Sequence, residues 1–165
     1  MSGVAPASGA TALERLRALG LTLPAVPSPA GSYVPAVRTG HLVFTAGQLP
    51  LVDGELAATG LVGLDVPPER ARELAATAAL NALAAAAQVA GGLDRILRAV
   101  KVVGYVASAP GFTAQPGVVD GASELLGRVL GDAGRHARSA VGVASLPKGA
   151  PVEVELIVAV QPRDE

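Results

Sequence analysis

At 165 residues the chain has the length of one domain with one substantial core. Half of it is apolar, 16% is charged, and 13 basic residues stand against 14 acidic ones for a formal net charge of -1. That balance excludes a disordered chain and lacks the basic surface of a nucleic-acid binder, while the absence of cysteine excludes disulfides, thiolate catalysis and cysteine-held metal.

Residues 1–10 carry no apolar period and read as a flexible leader, without the pattern of a signal peptide. Thr11 and Glu14 form the T-x-x-E capping box of a short helix that Gly20 stops. LPAVPSPAGS (23–32) has three prolines and is an extended connection. YVPAVRTG and HLVFTAG (33–47) read as two short strands about Thr39-Gly40, and LPLVDGELAATG (49–60) as a hairpin about Asp53-Gly54. Pro67-Pro68 opens the longest helix, which Gly91-Gly92 ends, with Leu74, Ala78, Asn81, Ala82, Ala85 and Val89 at helical spacing. Its apolar run (75–93) is mostly alanine and holds Thr77, Asn81 and Gln88, which makes a poor membrane span. A cytoplasmic protein without membrane contact is the expectation.

ILRAVKVVGYVAS (96–108) reads as a strand. Over 99–107 both alternating sets, Ala99, Lys101, Val103, Tyr105, Ala107 and Val100, Val102, Gly104, Val106, are largely apolar, so both faces need cover. APGFTAQPG (109–117) reads as a loop and VVDGASELLGRVLGDAG (118–134) as a helix, with Leu125, Val129 and Leu130 toward the core. HARSAVGVASLPKGAPVEVELIVAV (136–160) supplies two last strands around a Leu146-Pro147-Lys148-Gly149 turn. This order predicts an α+β fold, a mixed sheet with helices packed on one face. Helices cover only one side, so the other predicts an oligomer.

Two stretches, AGSYVPAVRTGHLVFTAGQLP (30–50) and ARSAVGVASLPKGAPVEVELIVAV (137–160), resemble the RidA/YjgF family, also called L-PSP. The resemblance covers roughly residues 28 to 161. It divides the chain into an N-terminal leader and short helix (1–27), as in a longer subgroup, and a single RidA/YjgF-like domain (28–165). It implies a chorismate-mutase-like fold, a homotrimer with sites between subunits, and hydrolysis of reactive 2-imino or enamino acids to 2-oxo acids and ammonia. No metal or organic cofactor is implied, because the substrate is already activated.

Residue by residue, the resemblance makes Arg138 the group that grips the substrate carboxylate, a task suited to a planar, permanently charged guanidinium. Glu153 takes the place of the glutamate that positions water. Glu155, on the same strand face, reads as structural. Tyr33 matches an early tyrosine whose hydroxyl steers the imine or the leaving ammonia. Gly31 and the 30–32 backbone line the same pocket, and Ala140, where well-known members often carry cysteine, offers its backbone N–H to the carboxylate. The Leu-Pro-Lys-Gly turn is expected to return the chain so that Arg138 and Glu153 reach one pocket. Asp120 stands where many members have asparagine, and its simplest role is to cap the helix expected to begin there. Gly47 and Gln48 read as architectural.

Other readings compete. His41 and His136 are the ingredients of a ribonuclease acid–base pair, but both sit at strand boundaries and lack a partner set for metal. A non-catalytic binder of small carboxylates, with a regulatory or chaperone-like role, would use the same Arg138 pocket. The endoribonuclease activity attached to the family's name fits poorly with an even charge, and an aromatic share of 2% leaves little surface for stacking bases.

Overall fold

The structure, a computed structural model, describes residues 9–29 and 31–162. Its elements are α1 (Ala12–Ala18), β1 (Ala36–Thr39), β2 (Leu42–Thr45), β3 (Leu51–Val52), β4 (Glu55–Leu56), α2 (Pro68–Ala90), β5 (Ile96–Ala107), α3 (Gln115–Leu130), β6 (Ala137–Val143) and β7 (Val152–Val160). Five strands form one sheet in the order β1-β2-β7-β5-β6, in which only β5 and β6 run parallel. β3 and β4 form a small separate hairpin. Both long helices lie on one face, so the expected α+β mixed sheet is what the chain forms.

Local chemistry sets the boundaries. Thr11 Oγ1 accepts the Glu14 N–H while the Glu14 carboxylate accepts the Thr11 N–H, the reciprocal cap read from the sequence. Leu16 of α1 is fully buried, and the Leu13 N–H donates to Asp94, so this helix is docked on the core. Most of the leader expected over 1–10 falls outside the described residues. Asp53 and Gly54 both have positive φ, as a two-residue hairpin demands, and Gly91 closes α2 in the left-handed region. Although α2 has the length and composition of a membrane span, most of it is buried inside the fold.

Small residues bring the layers close. Ala71, Ala75, Ala78, Ala79, Ala82 and Ala85 of α2 are fully buried. A Cβ on Gly121 would lie 2.0 Å from the Arg72 carbonyl oxygen, so α2 and α3 meet backbone to backbone. A Cβ on Gly104 would lie 2.4 Å from Val119, which places α3 directly on β5.

Three expectations are corrected. The second long helix begins at Gln115, not 118, and gives way after Leu130 to a 3₁₀ turn at Gly131–Gly134. Pro116 sits in its first turn, where a missing N–H costs no hydrogen bond. Asp120 is therefore inside the helix and caps nothing. The strict alternation over 99–107 also fails, because Ala99 pairs with Val158 and Lys101 with Ile157. Val100 is an extra, bulged residue, so Ala99 joins Val102 and Val106 beneath the helices.

Among the described residues no helix lies on the opposite face of the sheet. Val37, Phe44 and Val141 are exposed there, among half-buried Val103, Tyr105 and Ile157. That is the uncovered apolar face the sequence predicts.

Candidate functional site

β7 alternates strictly. Val152, Val154, Leu156 and Val158 enter the core, and Glu153 and Glu155 point to the open face. Gln48 exchanges both backbone hydrogen bonds with Val154, at 2.8 and 3.0 Å, which lays residues 46–48 against the strand. Thr45 Oγ1 accepts the Leu156 N–H at 2.9 Å and fixes the same register. A Cβ on Gly47 would lie 1.8 Å from Glu153 Oε1, so only glycine leaves room for this carboxylate.

Asn81 supports the seat from behind. It is 4% exposed, and its amide nitrogen donates to the carbonyls of Leu49 and Leu51 at 2.9 and 3.0 Å. The helix thereby anchors the segment that holds Glu153. Polarity at one position of an alanine stripe was the signal for this role, and sequence reasoning read it only as helical spacing.

Glu153 opens on a cavity of about 290 Å³ that Tyr33, Gly47, Gln48 and Lys148 also line. Tyr33 stands at its rim, 52% exposed, with its N–H on the Gly31 carbonyl and Gly31 against its ring. Ala30 lies outside the described residues. Lys148 holds φ +59, a left-handed conformation in the Leu-Pro-Lys-Gly turn, and sequence reasoning gave it no role in the site. Burial, and secondly the charge on Glu155, push the Glu153 carboxyl above its ordinary range. Glu155 accepts the Tyr105 hydroxyl at 3.1 Å. Burial first, and then the Glu155 charge, raise that phenol.

Arg138 is elsewhere. It pairs with Val102 in the sheet and reaches toward α3, where Nη1 donates to Asp120 Oδ1 at 2.7 Å and Ser123 Oγ at 3.1 Å, and Nη2 to the Pro116 carbonyl at 3.3 Å. With Arg15, Arg135 and His136 it borders a second, more open cavity of about 880 Å³. Glu153 and Arg138 thus lie on opposite faces of the sheet with β5 between their strands, and the expectation that one chain brings both to one pocket is corrected. The turn does bring β7 back, but antiparallel to β5 on its far side. Ala140 pairs with Gly104 and packs half-buried against the core.

The histidines do not meet. His41 sits in the β1–β2 turn, and His136 precedes β6 at the other end of the sheet. His136 Nδ1 lies 2.6 Å from the Gly134 carbonyl and Nε2 lies 2.9 Å from Ser123 Oγ. A carbonyl only accepts, so Nδ1 carries the proton. Among the described residues no group of three or more His, Cys, Asp or Glu is placed to hold a metal.

Residues 13–158 match the family described as YjgF/chorismate mutase-like, putative endoribonuclease. Protein TCP17 of Trypanosoma cruzi is 42% identical over 159 residues, spanning 96% of this chain and 98% of that protein. The crystal structure of Atu1372 from Agrobacterium tumefaciens, a protein of unknown function, is 46% identical with a TM-score of 0.83, covering 91% of this chain and 92% of that one. A Shewanella oneidensis structure called a putative endoribonuclease is 32% identical with a TM-score of 0.88, covering 92% of this chain and all of the other. With the family match over nearly its whole length, the same α+β sheet and the Arg-Ser and Val-Glu-Val-Glu strands in place, the chain belongs to the YjgF/chorismate mutase-like family.

Proposed function

We propose that the protein is a cytoplasmic homotrimer that hydrolyses 2-imino or enamino acids to 2-oxo acids and ammonia, at sites that two subunits complete. The observation that carries this reading is the seat of Glu153. Its half-buried carboxylate lies against Gly47 at the wall of a small cavity, with Tyr33 at the rim. A carboxylate with a raised proton affinity is a stronger base toward water than an exposed one, and its acid form persists closer to neutrality.

The steps follow from that chemistry. Glu153 takes a proton from water as the oxygen attacks C2 of the imine. The C=N double bond becomes a single bond, giving a carbinolamine. The nitrogen takes that proton back from Glu153, and Tyr33 hydrogen-bonds it. The carbinolamine hydroxyl then gives its proton to Glu153, which passes it to the nitrogen, so that the C–N bond breaks as C=O forms and ammonia leaves. Arg138 of a second copy grips the carboxylate throughout. The uncovered apolar face of the sheet supports an assembly of this kind, since Phe44 and Val141 otherwise remain in water.

The test is the decay of 2-iminopropanoate and 2-iminobutanoate, generated in situ, with wild type, Arg138→Ala, Glu153→Gln and a refolded mixture of the two variants. Each variant alone is expected to be inactive. If a cyclic trimer supplies Arg138 and Glu153 from neighbouring copies, random mixing restores about a quarter of wild-type activity. No recovery in well-mixed trimers sinks the shared site. No acceleration by folded wild type sinks the hydrolase, and 2-oxobutanoate binding would then favour a non-catalytic carboxylate binder.

A further inference from the structure

Arg138 is not a free cation. Its Nη1 lies 2.7 Å from Asp120 Oδ1, and the other oxygen of Asp120 lies 3.7 Å from Arg72. Arg72 in turn pairs with Glu124. Two guanidiniums and two carboxylates thus cancel within one cluster. A plain anion that reaches Arg138 gains the guanidinium and meets the charge of Asp120 at nearly the same range. The cluster is not sealed, because the Asp120 side chain is 46% exposed and that of Arg138 22%.

The geometry of the pair selects for a different kind of ligand. In an α-amino or α-iminium acid the cationic nitrogen and the carboxylate are both borne on C2, so that the nitrogen and the nearer oxygen lie about a hydrogen bond's length apart. Two opposite charges at that spacing match a guanidinium and a carboxylate 2.7 Å apart. Each ligand charge then meets its opposite. A 2-oxo acid offers only the carboxylate and leaves Asp120 facing a carbonyl oxygen, acceptor against acceptor.

We propose that the Arg138–Asp120 pair reads the zwitterionic head of α-amino and α-iminium acids, holding the carboxylate on Arg138 and the N–H on Asp120, and that it rejects 2-oxo acids. The proposal rests on Arg138 as the carboxylate pole of the site. It gives the proposed reaction a direction of binding: the iminium form of the substrate is held, and the oxo acid formed from it is released once its nitrogen has gone. Asp120 is then the residue that sets specificity.

The experiment is calorimetric titration of the full-length protein at neutral pH with L-2-aminobutanoate and with 2-oxobutanoate, two ligands of matched carbon skeleton. Wild type is expected to bind the amino acid about tenfold more tightly, one charge-assisted hydrogen bond being worth at least that ratio. Asp120→Asn, which keeps shape and removes the charge, reverses the order, and Asp120→Ser repeats the measurement should the asparagine disturb folding. Arg138→Ala loses both ligands. A wild-type preference for the oxo acid, or a ratio unchanged in both Asp120 variants, overturns the zwitterion reader while leaving Arg138 as the carboxylate pole. Equal binding by wild type and Arg138→Ala, or no binding of either ligand to wild type, overturns the role of Arg138 itself, and the proposal with it.

Discussion

Glu153 is held where its charge is disfavoured. Burial and the neighbouring Glu155 both raise its proton affinity above that of the unfolded chain. A raised carboxyl contributes stability below its unfolded pKa, about 4.3, and loses that contribution as pH rises through the folded value. At neutral pH the ionised Glu153 therefore opposes folding. Glu153→Gln is expected to raise the melting temperature at pH 7, with the gain shrinking as the pH falls toward 4, while imine turnover drops at least about a hundredfold. Melts across that range and the imine assay check both halves. Gly47→Ala forces its methyl into the same carboxylate, so turnover falls while circular dichroism stays native. The sequence motif singled out Glu153, Tyr33 and Arg138. Tyr105 and Ser123 were invisible to it, because their contacts join residues 50 and 15 positions apart.

At the scale of elements, the cavity beside Glu153 depends on α2, a helix that does not line it. Replacing Asn81 with leucine leaves the Leu49 and Leu51 carbonyls without their donor inside the fold, at a cost of about 1–3 kcal/mol for each group left unsatisfied. Chemical denaturation measures that loss, and imine turnover should fall further than stability alone explains. Gly121→Ala tests the neighbouring joint, where the added methyl meets the Arg72 carbonyl and pushes α2 from α3, so a lower denaturation midpoint is expected. Caps, hairpin turns and the glycine stop of α2 were legible because each is written within four residues. The start of α3 was not, since Gln115-Pro116-Gly117 has the composition of a turn and only helix geometry makes a first-turn proline acceptable. Nor was the bulge at Val100, because an extra residue in a run of apolar side chains leaves no mark on the pattern.

For the whole molecule, the sheet acts as a partition between Glu153 on one face and Arg138 at the edge of the other. Phe44→Glu places a charge in the middle of the apolar open face, opposite Ile157. Light scattering after size exclusion is expected to show smaller species with native circular dichroism, and imine turnover is expected to vanish although both site residues remain in every chain. Persistence of the wild-type mass would mean that this face is not where copies meet. The α+β class and an apolar face left without helices could be read from patterning. The division of the site between faces could not, because it depends on strand order, and neighbours in the sheet are distant in the chain.

β6 runs along the outside of the sheet, and among the described residues one side of its backbone has no strand beside it. It reads ARSAVGV, without lysine or proline, its one charge is Arg138 turned toward α3, and Val141 stands exposed along it. The strand that bears Arg138 is therefore also an edge to which another strand could add. After release from the ribosome the chain presents that open edge to whatever else is crowded around it. If copies associate as proposed, the yield of well-formed protein is set by a race between that association and precipitation, which a slower-assembling variant loses.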